Sequence, residues 1–141
     1  AAHDGRAGRE PVAGMIFGIG TDLVQVERID ATYARFGAHF VERLLMPEER
    51  ALFRPGRRAV RFLAMRFAAK EAIAKALGTG FRNGVWIRDF GFTPNAWGRP
   101  EVIFSPRGRA LADRLGAGEG HVSLTDEAGL VMAVAVLMRK A

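Results

Sequence analysis

The chain has 141 residues, 49% of them hydrophobic, which fits one domain with a modest core. It contains no cysteine, so a disulfide framework, a thiolate metal site and a cysteine nucleophile are excluded. Lys and Arg number 21 against 15 acids, and the net +6 suits a polyanion or an acidic protein partner, although an arginine-preferring genome also produces such a bias.

Residues 1–14, AAHDGRAGREPVAG, are small, polar and unpatterned, and read as an added leader ahead of a native start at Met15 or, alternatively, as a disordered natural extension. A single domain is expected over 15–141. Neither a membrane span nor a signal pattern is legible, so a cytoplasmic location is expected. The segment from Met15 opens as a short strand, with Gly18 and Gly20 permitting close backbone approach and Asp22 at its end or in the turn after it. From Val26, Ile29, Tyr33, Phe36 and Phe40 recur at helical spacing, and Gly37 bends or breaks that helix. Arg28, Arg35 and Arg43 lie on its polar side. Pro47, with Glu48 and Glu49 in the first turn, starts a second helix that Pro55-Gly56 ends. A long helix follows from about Arg58 to Leu77, apolar almost all round and therefore buried, with Gly78 as its stop.

Residues 81–104 read as short strands at Val85–Ile87, Phe90–Phe92 and Glu101–Phe104, with a turn over Asn95–Pro100. Residues 106–115 form a short helix. His121–Asp126 is a strand, Glu127-Ala128-Gly129 a turn, and Leu130–Met138 a central buried strand. The predicted class is α+β: a small antiparallel sheet packed with a long buried helix.

Glu71 and Lys75 are four apart and share a helix face, which on an ordinary helix means a surface ion pair. A carboxylate on a buried helix instead needs a partner or a metal. Asp22 is a second carboxylate, equally readable as a helix N-cap or as a ligand. Two carboxylates from separate elements suit Mg²⁺, which leaves its other positions to water and substrate phosphates. Gly78-Thr79-Gly80 follows a helix, so it is a C-cap before it is a phosphate loop. His121, Ser123 and Thr125 alternate along a strand and share a face, a ligand-facing stripe or a solvated one. His3 and His39 are isolated, so zinc is not expected. The basic residues lack the aromatic interleaving of a single-strand nucleic-acid platform.

GIGTDLVQVERI (18–29), RFLAMRFAAKEAIAKALGTG (61–80), GRP (98–100) and HVSLTDE (121–127) together resemble the holo-acyl-carrier-protein synthases, small bacterial 4′-phosphopantetheinyl transferases. The resemblance covers Met15 to Met138. It implies transfer of 4′-phosphopantetheine from coenzyme A to a serine of apo acyl carrier protein, with adenosine 3′,5′-bisphosphate leaving, in support of fatty acid biosynthesis. It implies Asp22 and Glu71 as Mg²⁺ ligands and Lys75 as a phosphate contact. It assigns Arg66, Gly78, Gly80, Pro100, His121, Ser123 and Thr125 to coenzyme binding, and Arg28, Arg35 and Arg43 to docking of the acidic carrier. It also implies a homotrimer with sites between subunits, and no nucleic-acid or membrane partner. The serine proton would pass to a carboxylate or a metal-bound water near Glu71. Many members carry a serine–histidine pair in the last motif. Here Thr125-Asp126 stand there, so no role passes to Asp126.

Overall fold

The computed structural model describes residues 15–82 and 84–141, so the expected leader lies outside the described residues. Five strands form one antiparallel sheet in the order β1-β5-β4-β3-β2: β1 (Ile16–Gln25), β2 (Phe90–Pro94), β3 (Pro100–Phe104), β4 (Ala117–Glu127) and β5 (Leu130–Arg139). The helices are α1 (Val26–Phe36), α2 (Ala38–Leu44), α3 (Pro47–Arg50), α4 (Ala59–Leu77) and α5 (Pro106–Leu115). The expected α+β class holds. Gly37 separates α1 from α2 at φ 54°, where a side chain would be strained.

α4 packs chiefly on β1 and β5, and its contact with β1 depends on glycine. A Cβ on Gly18 would sit 2.0 Å from the Ala76 carbonyl oxygen, and one on Gly20 would sit 1.9 Å from that of Ala72. Strand and helix therefore touch backbone to backbone, with Ala72 and Ala76 as the small residues opposite. The register sets the site as well. Gly18, Gly20 and Asp22 occupy alternate positions of β1, so Asp22 points toward the same helix.

Several expectations change. α3 stops at Arg50, ahead of the Pro55-Gly56 expected to end it. Val85–Ile87 is not a strand: Val85 is buried, and Ile87–Asp89 makes one 3-10 turn. The cause is Asp89, whose Oδ2 accepts from the Trp86 backbone N–H at 2.9 Å and whose Oδ1 accepts from Ser105 Oγ at 3.2 Å. β4 begins at Ala117, four residues ahead of His121. β5 is central as expected, but only one of its faces is buried. Val131, Ala133, Ala135 and Leu137 are fully enclosed under α4, while Leu130 and Met132 are exposed with Ile19 and Leu23 of β1.

Candidate active site

Asp22 lies inside β1 rather than at a cap. α1 starts four residues later at Val26, Gln25 gives it no side-chain cap, and the Val26 N–H donates to Gly129 O at 2.9 Å. The cap reading of Asp22 therefore falls away. Lys75 Nζ donates to Asp22 Oδ1 at 3.2 Å and to Thr21 O at 3.0 Å. The lysine thus reaches across to β1 instead of pairing back along its own helix. Glu71 is half-buried, and its carboxyl is pushed above the usual range, first by burial and second by Asp22, with Lys75 opposing. Asp22, Glu71 and Lys75 form one cluster at the β1–α4 seam.

A second region lies around the other side of α4. Glu71 and Arg66 are five residues apart, about 140° around the axis. Arg66 lines a cleft of about 490 Å³ with Arg58, Arg61, Met65, Pro100 and Ser123. Gly98 also lines it, on a turn that Asn95 ties together: Asn95 Oδ1 accepts from the backbone N–H groups of Trp97 at 2.9 Å and Arg99 at 3.0 Å. His121 faces an adjoining hollow of about 330 Å³ with Asn95, Arg99, Pro100 and Arg109. His121, Ser123 and Thr125 are exposed on one face of β4, as their alternation predicts, with Val122 turned to the core. Gly78 caps α4 at φ 83°, its N–H donating to Lys75 O at 3.0 Å, and the Gly80 N–H donates to Ala74 O at 3.1 Å. Arg28, Arg35 and Arg43 are all exposed.

Some residues of these regions were not singled out from sequence. Arg58 and Arg61 share the cleft, and their i,i+3 spacing was the available signal. Asp126 is held by Arg61 in a two-pronged pair, Nε to Oδ2 at 2.8 Å and Nη2 to Oδ1 at 3.0 Å. Glu49 and Lys70 are completely buried, with Lys70 Nζ 2.6 Å from Glu49 Oε1 and donating also to Phe90 O at 2.7 Å. Their partnership spans 21 positions, beyond any local pattern.

Residues 18–135 match the model of the 4′-phosphopantetheinyl transferase superfamily. A holo-[acyl-carrier-protein] synthase of Hamiltonella defensa is 41% identical over 122 residues, covering 86% of this chain and 97% of that protein. The crystal structure of the holo-[acyl-carrier-protein] synthase from Neisseria meningitidis superposes with TM-score 0.82 at 41% identity, covering 89% of this chain and 100% of that one. The Helicobacter pylori synthase, solved in complex with coenzyme A, matches with TM-score 0.74 at 29% identity over 84% of this chain and 98% of that one. The chain belongs to the 4′-phosphopantetheinyl transferase superfamily and is an enzyme of its holo-[acyl-carrier-protein] synthase type.

Proposed function

We propose that this enzyme transfers 4′-phosphopantetheine from coenzyme A to a serine of apo acyl carrier protein, with Mg²⁺, and releases adenosine 3′,5′-bisphosphate. The observation that carries this reading is the convergence of Asp22, Glu71 and Lys75 from two elements at one seam. The donor set fits Mg²⁺. Two carboxylates lie close enough for Asp22 to raise the proton affinity of Glu71, and a cation relieves that repulsion. The described residues contain no group of three or more His, Cys, Asp or Glu side chains, so the remaining ligands would come from water and substrate phosphates, as Mg²⁺ prefers. Bound there, the ion would neutralise charge developing on the diphosphate oxygens.

The protein's own groups supply the rest. Lys75, steered by Thr21 O and Asp22, presents a fixed ammonium to the diphosphate. The serine Oγ bonds to the β-phosphorus, the bond to the nucleotide's 5′-phosphate breaks, and the serine proton passes to a carboxylate or a water near Glu71. The arginine-lined cleft suits the nucleotide end of the coenzyme, with Arg66 for the 3′-phosphate, Ser123 and Pro100 on its lining and His121 in the adjoining hollow, while Thr125 continues the same exposed face of β4. Gly78 and Gly80 bring bare backbone to the end of α4 beside Lys75. The exposed Arg28, Arg35 and Arg43 form the docking side for an acidic carrier. Arg43 also lines an apolar hollow with Phe36 and Phe40.

We infer a homotrimer on two grounds. The seam and the cleft lie on different faces of one helix, so a second copy is needed to bring them to one coenzyme. The exposed Ile19, Leu23 and Met132 form an apolar sheet face that such a copy would cover. Sedimentation at working concentration tests it: a mass of three chains is expected, and a dimer or a monomer would overturn it.

The decisive assay is mass spectrometry of apo carrier protein incubated with enzyme, coenzyme A and Mg²⁺. A gain of one phosphopantetheine is expected, abolished by chelation. No gain would overturn the reading, and full activity in Glu71→Ala would remove that residue from it.

A further inference from the structure

Arg66 is an unusual arginine. Its guanidinium carbon lies 3.9 Å from the Phe62 ring centroid and 4.0 Å from that of Phe92, so two rings fix its plane. Nη2 donates to Phe92 O at 3.4 Å. Nε is buried with no hydrogen-bond partner among the described residues, and the nearest anion is Glu49 Oε2 at 3.6 Å. The group still lines the cleft.

Glu49 accepts three hydrogen bonds. Its Oε1 accepts from the Met46 backbone N–H at 3.0 Å and from Lys70 Nζ at 2.6 Å. Its Oε2 accepts from the Phe92 backbone N–H at 3.3 Å. The carboxylate lies on Gly91, where a Cβ would come within 2.5 Å of Glu49 Cδ. A buried ion pair contributes little to stability compared with a well-packed apolar replacement. Stability alone therefore does not account for three charges gathered here. Lys70 neutralises Glu49, which leaves the Arg66 charge available to the cleft. Without Lys70, the carboxylate would compete with any incoming phosphate.

We propose that Glu49 is a positioning residue: through Oε2 and its hold on the Phe92 backbone it fixes Arg66 in the orientation that receives a phosphate in the cleft. This rests on the reading that the cleft takes the nucleotide end of coenzyme A. The probes are adenosine 3′,5′-bisphosphate and adenosine 5′-monophosphate, whose affinities are compared by calorimetry.

Wild type is expected to prefer the bisphosphate, and Arg66→Gln to lose that preference. Unchanged selectivity in Arg66→Gln overturns the cleft reading and the proposal with it. Glu49→Gln is expected to cut the preference about tenfold while Arg66 is intact, the worth of one charge-assisted contact. The double variant Glu49→Gln/Lys70→Met, which removes both members of the fully buried pair and leaves only Arg66 charged beside the cleft, is expected to do the same with a cooperative melt. If Arg66→Gln loses selectivity and both Glu49 variants keep it, the cleft reading stands and the positioning role is overturned. A purely structural Glu49 would lower the melting temperature without moving the selectivity ratio. One readout uses the wild type alone: the Arg66 Nε–H is expected to give a slowly exchanging NMR signal, and rapid exchange typical of surface arginines overturns the proposal.

Discussion

α4 carries two ionic groups on opposite sides, and they are built differently. Glu49–Lys70–Arg66 is dry: Glu49 and Lys70 have no exposure, and burial pushes Lys70 down and Arg66 down to about 10, with Glu49 opposing both shifts. Asp22–Glu71–Lys75 is wet: the Lys75 side chain is 52% exposed, and Glu71 is only half-buried. The dry group holds α3, α4 and β2 together and fixes one arginine. The wet group keeps charges that a cation and a diphosphate can still reach. Burial thus separates ions that position from ions that react, and adjacent residues of one sequence, Lys70 and Glu71, fall on either side of that division.

The largest expected break of this contrast is Lys70→Met alone. It removes the hydrogen-bonded counter-charge of buried Glu49 and leaves only Arg66, 3.6 Å away, so urea unfolding should show a loss of about 3 kcal/mol. Glu49→Gln/Lys70→Met should recover most of that loss. If the single variant costs under about 1 kcal/mol, the dry group is not dry.

Glu71→Ala should do the reverse. Stability should move by less than about 1 kcal/mol, because the carboxylate has water and no buried partner that depends on it. Turnover should fall about 100-fold or more, the scale of losing one preorganised electrostatic group. A stability loss as large as that of Lys70→Met would erase the distinction between the two sides of the helix.

The two sides were also unequally legible in sequence. Glu71 and Lys75 stood out because i,i+4 spacing is local, whereas Asp22 read equally as an N-cap or a ligand until the family resemblance joined it to them, and the glycines of its strand read only as permitting a close backbone contact. That contact is now seen at Gly18 and Gly20. Glu49 read as an ordinary first-turn acid of a short helix. Its local bond to the Met46 N–H fits that reading, but its burial depends on Lys70, Gly91 and Phe92, far along the chain. Local spacing carries no information about such pairings. Asp89 was missed for the same reason, since Ser105 lies 16 residues away, and its turn replaced an expected strand at Val85–Ile87. The apolar run of β5 pointed to a strand buried on both sides. Run length alone does not distinguish a face packed under a helix from an apolar face left open within one subunit.

A smaller effect is expected at the β4–β5 turn. Ala128 adopts φ 53°, a region that costs an L-residue about 1 kcal/mol, and Gly129 follows at φ 77°. Ala128→Gly should raise stability by about 0.5–1 kcal/mol without changing turnover, since the turn supports the start of α1 through Gly129 O and touches neither ionic group. Unchanged or lowered stability in urea would show that the turn is not strained.

The smallest expected effect is a pH signature at the third ionic feature of α4, the exposed Arg61–Asp126 pair. Hydrogen bonding to Arg61 holds the Asp126 carboxyl below its ordinary value of 3.8. A carboxyl depressed in the folded state binds its proton more readily when unfolded. The stabilisation is therefore full above the unfolded value and is lost as pH falls through the lower, folded one. Urea midpoints of wild type and Asp126→Asn should differ slightly at about pH 6 and converge as the pH falls below about 4. Raising salt at about pH 6 should shrink the same gap, because the pair is open to solvent. A gap that stays constant from about pH 6 to about pH 3 would mean that Asp126 contributes through shape rather than charge. In that case charge on α4 would matter only in its two principal groups, the dry one and the wet one.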